Sequence, residues 1–314
     1  MAGTFPAAAE RGTDAVVAVR GATKHYGSVR AVDGVDLDVA RGELFGLIGH
    51  NGAGKSTLFK MMLGLIAATS GDIRIGGAPV TGSGFREVRR TVGYLPENVV
   101  LYDNLTGLET LHFFARLKRV PAKECGAALE RVGLAAAANR RVREYSKGMR
   151  QRLGFAQALL GRPRILFLDE PTTGLDPEAI REFYLILRGL KADGVTMILT
   201  SHILAEIQER VDRLAIMAAG KVQATGTVQA LREQMDLPLW FRVRLAPPDF
   251  ESVRAALCEL PVLAVEARED HVAVQCRRDQ KMVVMQALAS LGEKMVDLHV
   301  HEPSLEDVFF GFSD

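Results

Sequence analysis

The stretch Gly49-His50-Asn51-Gly52-Ala53-Gly54-Lys55-Ser56-Thr57 meets every position of the phosphate-cradling pattern G-x-x-x-x-G-K-[ST]. The glycines let successive backbone N–H groups turn toward phosphate oxygens, and a helix starting here aims its positive dipole end at the same anion. Asn51, Gly52, Ala53, Gly54, Lys55, Ser56 and Thr57 are therefore the expected binding residues for a nucleoside triphosphate. Lys55 would neutralise the β- and γ-phosphates. Ser56 would offer its hydroxyl to Mg²⁺, which keeps most of its octahedral shell from water and phosphate.

A second pair of residues could complete that chemistry. Asp169 closes the apolar run Ile165-Leu166-Phe167-Leu168, which places a carboxylate at the end of a buried strand, where it can bond Mg²⁺ directly or through water. Glu170 comes next. Because strand side chains alternate, Glu170 is expected to point differently from Asp169 and to polarise a water beside the γ-phosphate. The phosphate loop alone leaves kinases, GTPases, motors and transport ATPases open, so this second half has to decide.

The elements needed to hold these residues are legible around them. Glu43 to Ile48 reads as a buried strand and Leu58 to Leu63 as an apolar-faced helix, which gives the strand, loop and helix that the motif requires. Short alternating strands at Val16 to Val19 and Val35 to Val39 lead in. A helical stretch is expected from about Leu105 to Arg162, then buried strands at Arg164 to Asp169 and Val195 to Thr200, joined by a helix from Ala179 to Leu190. Apolar strands linked by helices mean a parallel sheet. From Pro238 the pattern restarts as a β-α-β-β-α-β unit, ending in an amphipathic segment from Pro303 to Phe310. The expected domains are a disordered start at 1–13, a nucleotide-binding unit at 14–230 and an accessory unit at 238–314.

Composition sets outer bounds. Of 314 residues, 48% are hydrophobic and 25% charged, and the net charge is +1, so no global field points to nucleic acid. Cys125, Cys258 and Cys276 are far apart, form no C-x-x-C pair and suggest neither zinc nor a disulfide framework, which favours a reducing cytoplasm. No apolar run approaches the roughly 18–20 residues that cross a bilayer. Asp297, His299 and His301 share one strand face but do not close a metal site, and are read as solvated surface.

Glu144-Tyr145-Ser146-Lys147-Gly148-Met149-Arg150-Gln151, just upstream of Asp169, resembles the signature of ATP-binding cassette (ABC) ATPases. The family pattern is Leu-Ser-Gly-Gly-Gln; here Ser146 and Gly148 are kept, while Tyr145, Lys147 and Met149 depart. The resemblance covers about Val16 to Val228 and implies further roles. Tyr26 would stack on adenine, Asp176 in Pro171 to Asp176 would cross a dimer interface, and His202 would contact the γ-phosphate. Lys55, Glu170 and His202 would be the catalytic set, with Ser56 and Asp169 holding the metal. Glu97 stands where the family has glutamine, so an extra anion would face the nucleotide site; it is expected to stand back from the metal and act in transmitting motion.

The fold so implied is α/β: a P-loop ATPase cassette with a mixed sheet core, an antiparallel β subdomain and a helical subdomain, followed by a small α+β C-terminal domain. The resemblance also implies a head-to-tail homodimer sandwiching two ATP, each between one chain's phosphate loop and the other's Ser146 and Gly148. A separate membrane-spanning permease would be driven from the cytoplasmic face of the bacterial inner membrane. Asn98 to Leu105 is the expected docking segment. Within the family, Leu44 to Leu65 with His50 and the Pro303 to Phe309 ending look closest to ATPases of copper-linked nitrous oxide reductase maturation transporters, implying a periplasmic maturation protein and a copper or sulfur cargo. Both strings also occur in drug and other exporters' ATPases. Two other classes stay open: a cassette ATPase acting on ribosomes or nucleic acid, disfavoured by the single cassette and near-zero charge, and a cassette that binds ATP without turning it over, disfavoured by Glu170 and His202.

Overall fold

The alternating valines near the start belong to β1 (Ala15–Tyr26), which pairs antiparallel with β2 (Val29–Ala40) through a turn at Gly27. Both strands run well past the short segments predicted. Register shifts along the pair show why: bulges absorb Gly21 and its neighbours without ending the ladder. The computed structural model describes residues 15–234, 238–246 and 249–301. The expected disordered start at 1–13 and the Pro303 to Phe310 segment lie outside the described residues.

After β2 come β3 (Leu44–Ile48), α1 (Lys55–Met62), β4 (Ser70–Ile75), β5 (Ala78–Pro79), α2 (Phe85–Arg90) and β6 (Val92–Leu95). The expected helical stretch from about Leu105 to Arg162 is helical and divides into α3 (Gly107–Lys118), α4 (Glu124–Arg131), two 3-10 turns at Ala135–Ala137 and Val142–Glu144, and α5 (Lys147–Leu159). Local chemistry sets the breaks. Thr106 and Glu109 form a capping box that starts α3, and Arg119 in the left-handed region, with Pro121 close behind, stops it. Gly133, also left-handed, follows α4. Ser146 caps α5.

The chain continues through β7 (Ile165–Leu168), α6 (Pro177–Ala192), β8 (Thr196–Ser201), α7 (Leu204–Ile207), β9 (Arg213–Ala218), β10 (Lys221–Gly226) and α8 (Val228–Gln234). Two sheets result, in the orders β2-β1-β4-β5 and β10-β9-β3-β8-β7-β6. The first is antiparallel. In the second, β9, β3, β8, β7 and β6 are parallel, and β10 joins as an antiparallel edge. β3, β7 and β8 are buried at every residue, as strands covered on both faces must be. One core joins valines of β1 and β2 to Phe45, Phe59, Met61, Met62 and Phe167, and the Phe59 and Phe167 rings meet edge to face at 5.4 Å.

By contact the chain forms two units, Met1–Val228 and Gln229–Asp314. The second holds β11 (Leu239–Leu245), α9 (Phe250–Ala256), β12 (Ala264–Ala267), β13 (Val272–Cys276), α10 (Lys281–Ala289) and β14 (Met295–His301), in the predicted β-α-β-β-α-β order. Its sheet runs β12-β13-β11-β14. Leu239, Phe241, Val243 and Leu245 face a core shared with Val253, Leu257, Val284 and Leu288. Trp240, Arg242 and Arg244 take the other face, opposite His301, His299 and Asp297. Among the described residues no group of His, Cys, Asp and Glu is arranged to hold a metal ion.

The parallel sheet and the helical segment meet closely at Gly93 of β6. A Cβ there would stand 2.4 Å from the Ala158 carbonyl oxygen of α5 and 2.5 Å from Leu166 Cδ2. Gly93→Ala is therefore expected to cost about 1–3 kcal/mol by overpacking. A thermal melt reads this as a midpoint lowered by roughly 5 °C. Gly189→Ala in α6, where a Cβ meets nothing within 4 Å, should hold or raise the midpoint; equal melts for the two variants would contradict the close packing.

Candidate functional site

Strand register decides which residues meet at the edge of the parallel sheet. β3 and β8 align with Ile48 opposite Ser201, and β8 and β7 with Leu199 opposite Leu168. Gly49, Asp169 and the Thr200 to His202 segment therefore emerge together at the carboxyl ends of three buried strands. This edge is where open α/β sheets bind ligands.

Gly54 is the N-cap residue of α1, at φ 103°, with no side-chain cap and no acid in the helix's first turn. A Cβ on it would lie 2.3 Å from the Ala31 carbonyl oxygen, so only glycine fits. The first N–H groups of α1 are left without a side-chain acceptor, which is the arrangement that takes an anion. Lys55 is buried at 4% exposure; its ammonium donates to the Gly49 carbonyl, and to that of His50 at 3.3 Å. The loop is thus curled around its own lysine, and a triphosphate fits the same donors.

Asp169 and Glu170 are both buried. The Asp169 backbone N–H donates to the Leu95 carbonyl at 2.9 Å. Burial pushes the Asp169 carboxyl above the usual range; a hydrogen bond from Thr200 opposes the rise, and the charges of Glu97 and Glu170 add to it. Tyr94 registers the same negative charge: burial first, then Asp169 and Glu97, push its hydroxyl up to about 12. Glu97 itself is exposed.

Strand alternation does not explain how the two acids diverge. β7 ends at Leu168, and Glu170 has φ 46°, in the left-handed region, at a cost of roughly 1–2 kcal/mol for a residue with a Cβ. The turn is held at both ends: the Glu170 N–H donates to Thr200 Oγ1 at 2.8 Å, and its carbonyl accepts from the Thr173 N–H at 3.2 Å. The Glu170 carboxylate then lies 2.8 Å from His202 Nδ1 and 3.6 Å from Lys55 Nζ. With Nδ1 facing a carboxylate, the ring proton belongs on Nδ1.

The remaining expected residues occupy other elements. Tyr26 ends β1 with its ring 51% exposed, and Lys24 Nζ sits 5.2 Å from the ring centroid. Ser146 is the N-cap of α5, its hydroxyl accepting from the Met149 N–H at 3.2 Å, and Gly148 lies in the bare first turn. Asp176 is the N-cap of α6, accepting from the Ala179 N–H at 2.8 Å ahead of Pro177. Tyr145, a departure from the family pattern, is buried and donates its hydroxyl to the Ala137 carbonyl at 2.7 Å. Gln151 Nε2 donates to the Pro171 carbonyl at 3.1 Å, tying α5 to the turn after Glu170. Reading the sequence assigned no role to Gln151 or Thr200, although a polar side chain inside an apolar element has to find a partner.

The expected docking segment is fixed from below and apolar above. Val99 packs onto Gly154 of α5 so closely that a Cβ there would stand 2.7 Å from it, and Asp103 pairs with Arg150 at 2.7 Å. Val100 is 88% and Tyr102 59% exposed, and Phe113 and Leu117 of α3 extend the same apolar set. The Tyr102 and Phe113 rings meet edge to face at 5.8 Å. Phe113 and Leu117 were not anticipated, because their spacing also suits an ordinary amphipathic helix.

Comparison with known proteins agrees with this geometry. The protein family described as ABC transporter matches residues 32–173. The daunorubicin resistance ATP-binding protein DrrA3 of Streptomyces coeruleorubidus is 36% identical over 304 residues, spanning 94% of this chain and 95% of that protein. The solved ATP-binding subunit of an ABC transporter is 33% identical with a TM-score of 0.64, covering 70% of this chain and 93% of its own. A dimeric ATP-binding cassette in a post-hydrolysis state, bound to ADP and Pi, is 25% identical with a TM-score of 0.62, covering 67% of this chain and 98% of its own. With the phosphate loop, the buried acids and the cassette fold all in place, the chain belongs to the ATP-binding subunits of ABC transporters and is an ATPase.

Proposed function

We propose that this chain is the motor of an exporter, working as a homodimer whose two ATP sites are each shared between copies. The observation that carries this reading is the convergence of Lys55, Asp169, Glu170 and His202 on one sheet edge, while Ser146 and Gly148 sit at the start of α5, a separate element. In this reading residues 14–230 are the catalytic cassette and 238–314 an accessory domain.

Each residue's role follows from its placement. Tyr26 offers an exposed ring for the adenine, and Asn51 to Thr57 donate to the phosphates. Lys55 moves from its carbonyl partners onto the β- and γ-oxygens, which are stronger acceptors because they are charged. The buried carboxylate of Asp169 and the hydroxyl of Ser56 in the first turn of α1 are the oxygen donors that would hold Mg²⁺, which when bound supplies positive charge against the phosphate oxygens. Glu170 accepts a proton from the attacking water. His202 holds Glu170 through Nδ1 and turns Nε2 to the γ-phosphate, to which it donates only in the doubly protonated ring, because Nε2 is an acceptor when the single proton sits on Nδ1. Ser146 and Gly148 of the second copy cover the outer phosphate face, with Asp176 beside that interface. Closing on ATP and opening after hydrolysis drives the permease.

The apolar set of Val100, Tyr102, Phe113 and Leu117 is the surface proposed to receive the permease at the cytoplasmic face of the bacterial inner membrane. Among the described residues no helix is long and apolar enough to cross a membrane. For cargo, the drug- or lipid-type exporter is the reading supported by a relative, the daunorubicin resistance protein. Nitrous oxide reductase maturation, with its periplasmic partner and copper or sulfur cargo, rests on the sequence strings around His50 and Pro303 to Phe309, and the second string lies outside the described residues.

Three outcomes test these roles. Glu170→Gln should lower ATP turnover by about 10²–10³-fold and leave an ATP-bound dimer on size exclusion; undiminished turnover would remove Glu170 as the base. Glu97→Gln deletes a negative charge near Asp169, so ionisation becomes easier and the Asp169 pKa should fall in a carbon-13 NMR titration of the metal-free protein; an unmoved titration would separate the two groups. A photo-crosslinker at position 102 should capture the permease in membranes, and Val100→Asp should abolish that capture while ATP binding stays within about twofold. Capture of the permease through the opposite face alone would move the docking site.

A further inference from the structure

We propose that Thr200 is a positioning residue for both acids of the site, fixing which oxygen Asp169 presents and holding the turn that aims Glu170. The inference rests on the ATPase reading for what the two acids do; the contacts stand by themselves.

Thr200 is fully buried near the end of β8. Its Oγ1 accepts the Glu170 backbone N–H at 2.8 Å and lies 2.7 Å from Asp169 Oδ1. A hydroxyl has one proton. The amide can only donate, so the hydroxyl proton is committed to Asp169 Oδ1. That bond takes one of the two lone-pair sites of Oδ1, so Oδ2, which accepts no hydrogen bond among the described residues, is the freer oxygen for a cation. The same hydroxyl anchors the peptide that enters the left-handed turn at φ 46°, without which Glu170 would relax toward an ordinary backbone and lose its place beside Lys55 and His202.

The arrangement needs a side chain that accepts and donates at once, directly after the apolar run Met197-Ile198-Leu199. Valine has the shape of threonine and can do neither. Serine can do both. Met197, Ile198 and Leu199, the preceding residues of β8, are fully buried and carry no hydroxyl, and the hydroxyl of Ser201, the next residue, is bonded to the Ile203 backbone, so neither side offers a ready substitute for the Thr200 hydroxyl.

The experiment compares purified wild-type protein with Thr200→Val and Thr200→Ser. ATP binding in EDTA reports folding and the phosphate loop, and should stay within about twofold in both variants. Mn²⁺ binding in the presence of ADP, read by electron paramagnetic resonance, should weaken about tenfold in Thr200→Val and stay within about twofold in Thr200→Ser. ATP turnover should follow, with kcat down at least roughly tenfold in the valine variant and KM within about threefold. If Thr200→Val does not bind ATP in EDTA, Thr200→Ala against Thr200→Ser carries the same comparison. Equal Mn²⁺ affinity and kcat in the hydroxyl-bearing and hydroxyl-free variants would overturn the proposal. A wild-type protein that neither binds Mn²⁺ with ADP nor turns over ATP would overturn the ATPase reading instead.

Discussion

Three buried strands that end at one level make the rest of this arrangement possible. Parallel pairing of β3, β8 and β7 carries the phosphate loop, the Thr200 to His202 segment and the Asp169-Glu170 pair to the same edge. A shift of one residue in either pairing would turn side chains to the other face of the sheet and separate the acids from Lys55. That register is enforced by apolar packing on both faces of all three strands, so the catalytic geometry is paid for by the core rather than by the charges. The charges themselves are costly there, since burial raises the Asp169 carboxyl. They persist because each has a partner: Thr200 for Asp169, and Lys55 and His202 for Glu170.

Much of this was visible in the residue order, and the exceptions have physical reasons. The phosphate loop and the acid pair were legible because backbone chemistry fixes their spacing within one short segment. The C-terminal β-α-β-β-α-β order was legible because its short apolar runs are separated by polar and turn-forming residues, with clean alternation between core and solvent along β11. The region from Leu105 to Arg162 was legible as helical but not in its breaks, which depend on single features such as Thr106, Arg119 and Ser146. The divergence of Asp169 and Glu170 was assigned to strand alternation, whereas a left-handed turn at Glu170 produces it. Thr200 was read as one more strand residue, because its two partners lie about thirty positions away in sequence and only the sheet brings them near.

The departures from the family signature also have local explanations. Tyr145 replaces a leucine yet remains buried because the Ala137 carbonyl takes its hydroxyl. Ser146 and Gly148 keep what an anion cradle needs, a small hydroxyl at the cap and a bare first turn. Glu97 replaces a glutamine at an exposed position whose charge is felt at Asp169, so this chain carries more negative charge around Asp169 than the family pattern would give it.

The central claim is that each ATP site is built from two copies of the chain, and complementation tests it most directly. Lys55→Ala disables the phosphate loop and Ser146→Arg disables the cradle, so each variant alone should be inactive. Mixed, the two form heterodimers with one intact site, and turnover should recover to about a quarter of wild type for random pairing of equal amounts. No recovery on mixing, under conditions where wild-type protein dimerises on ATP, would contradict a shared site.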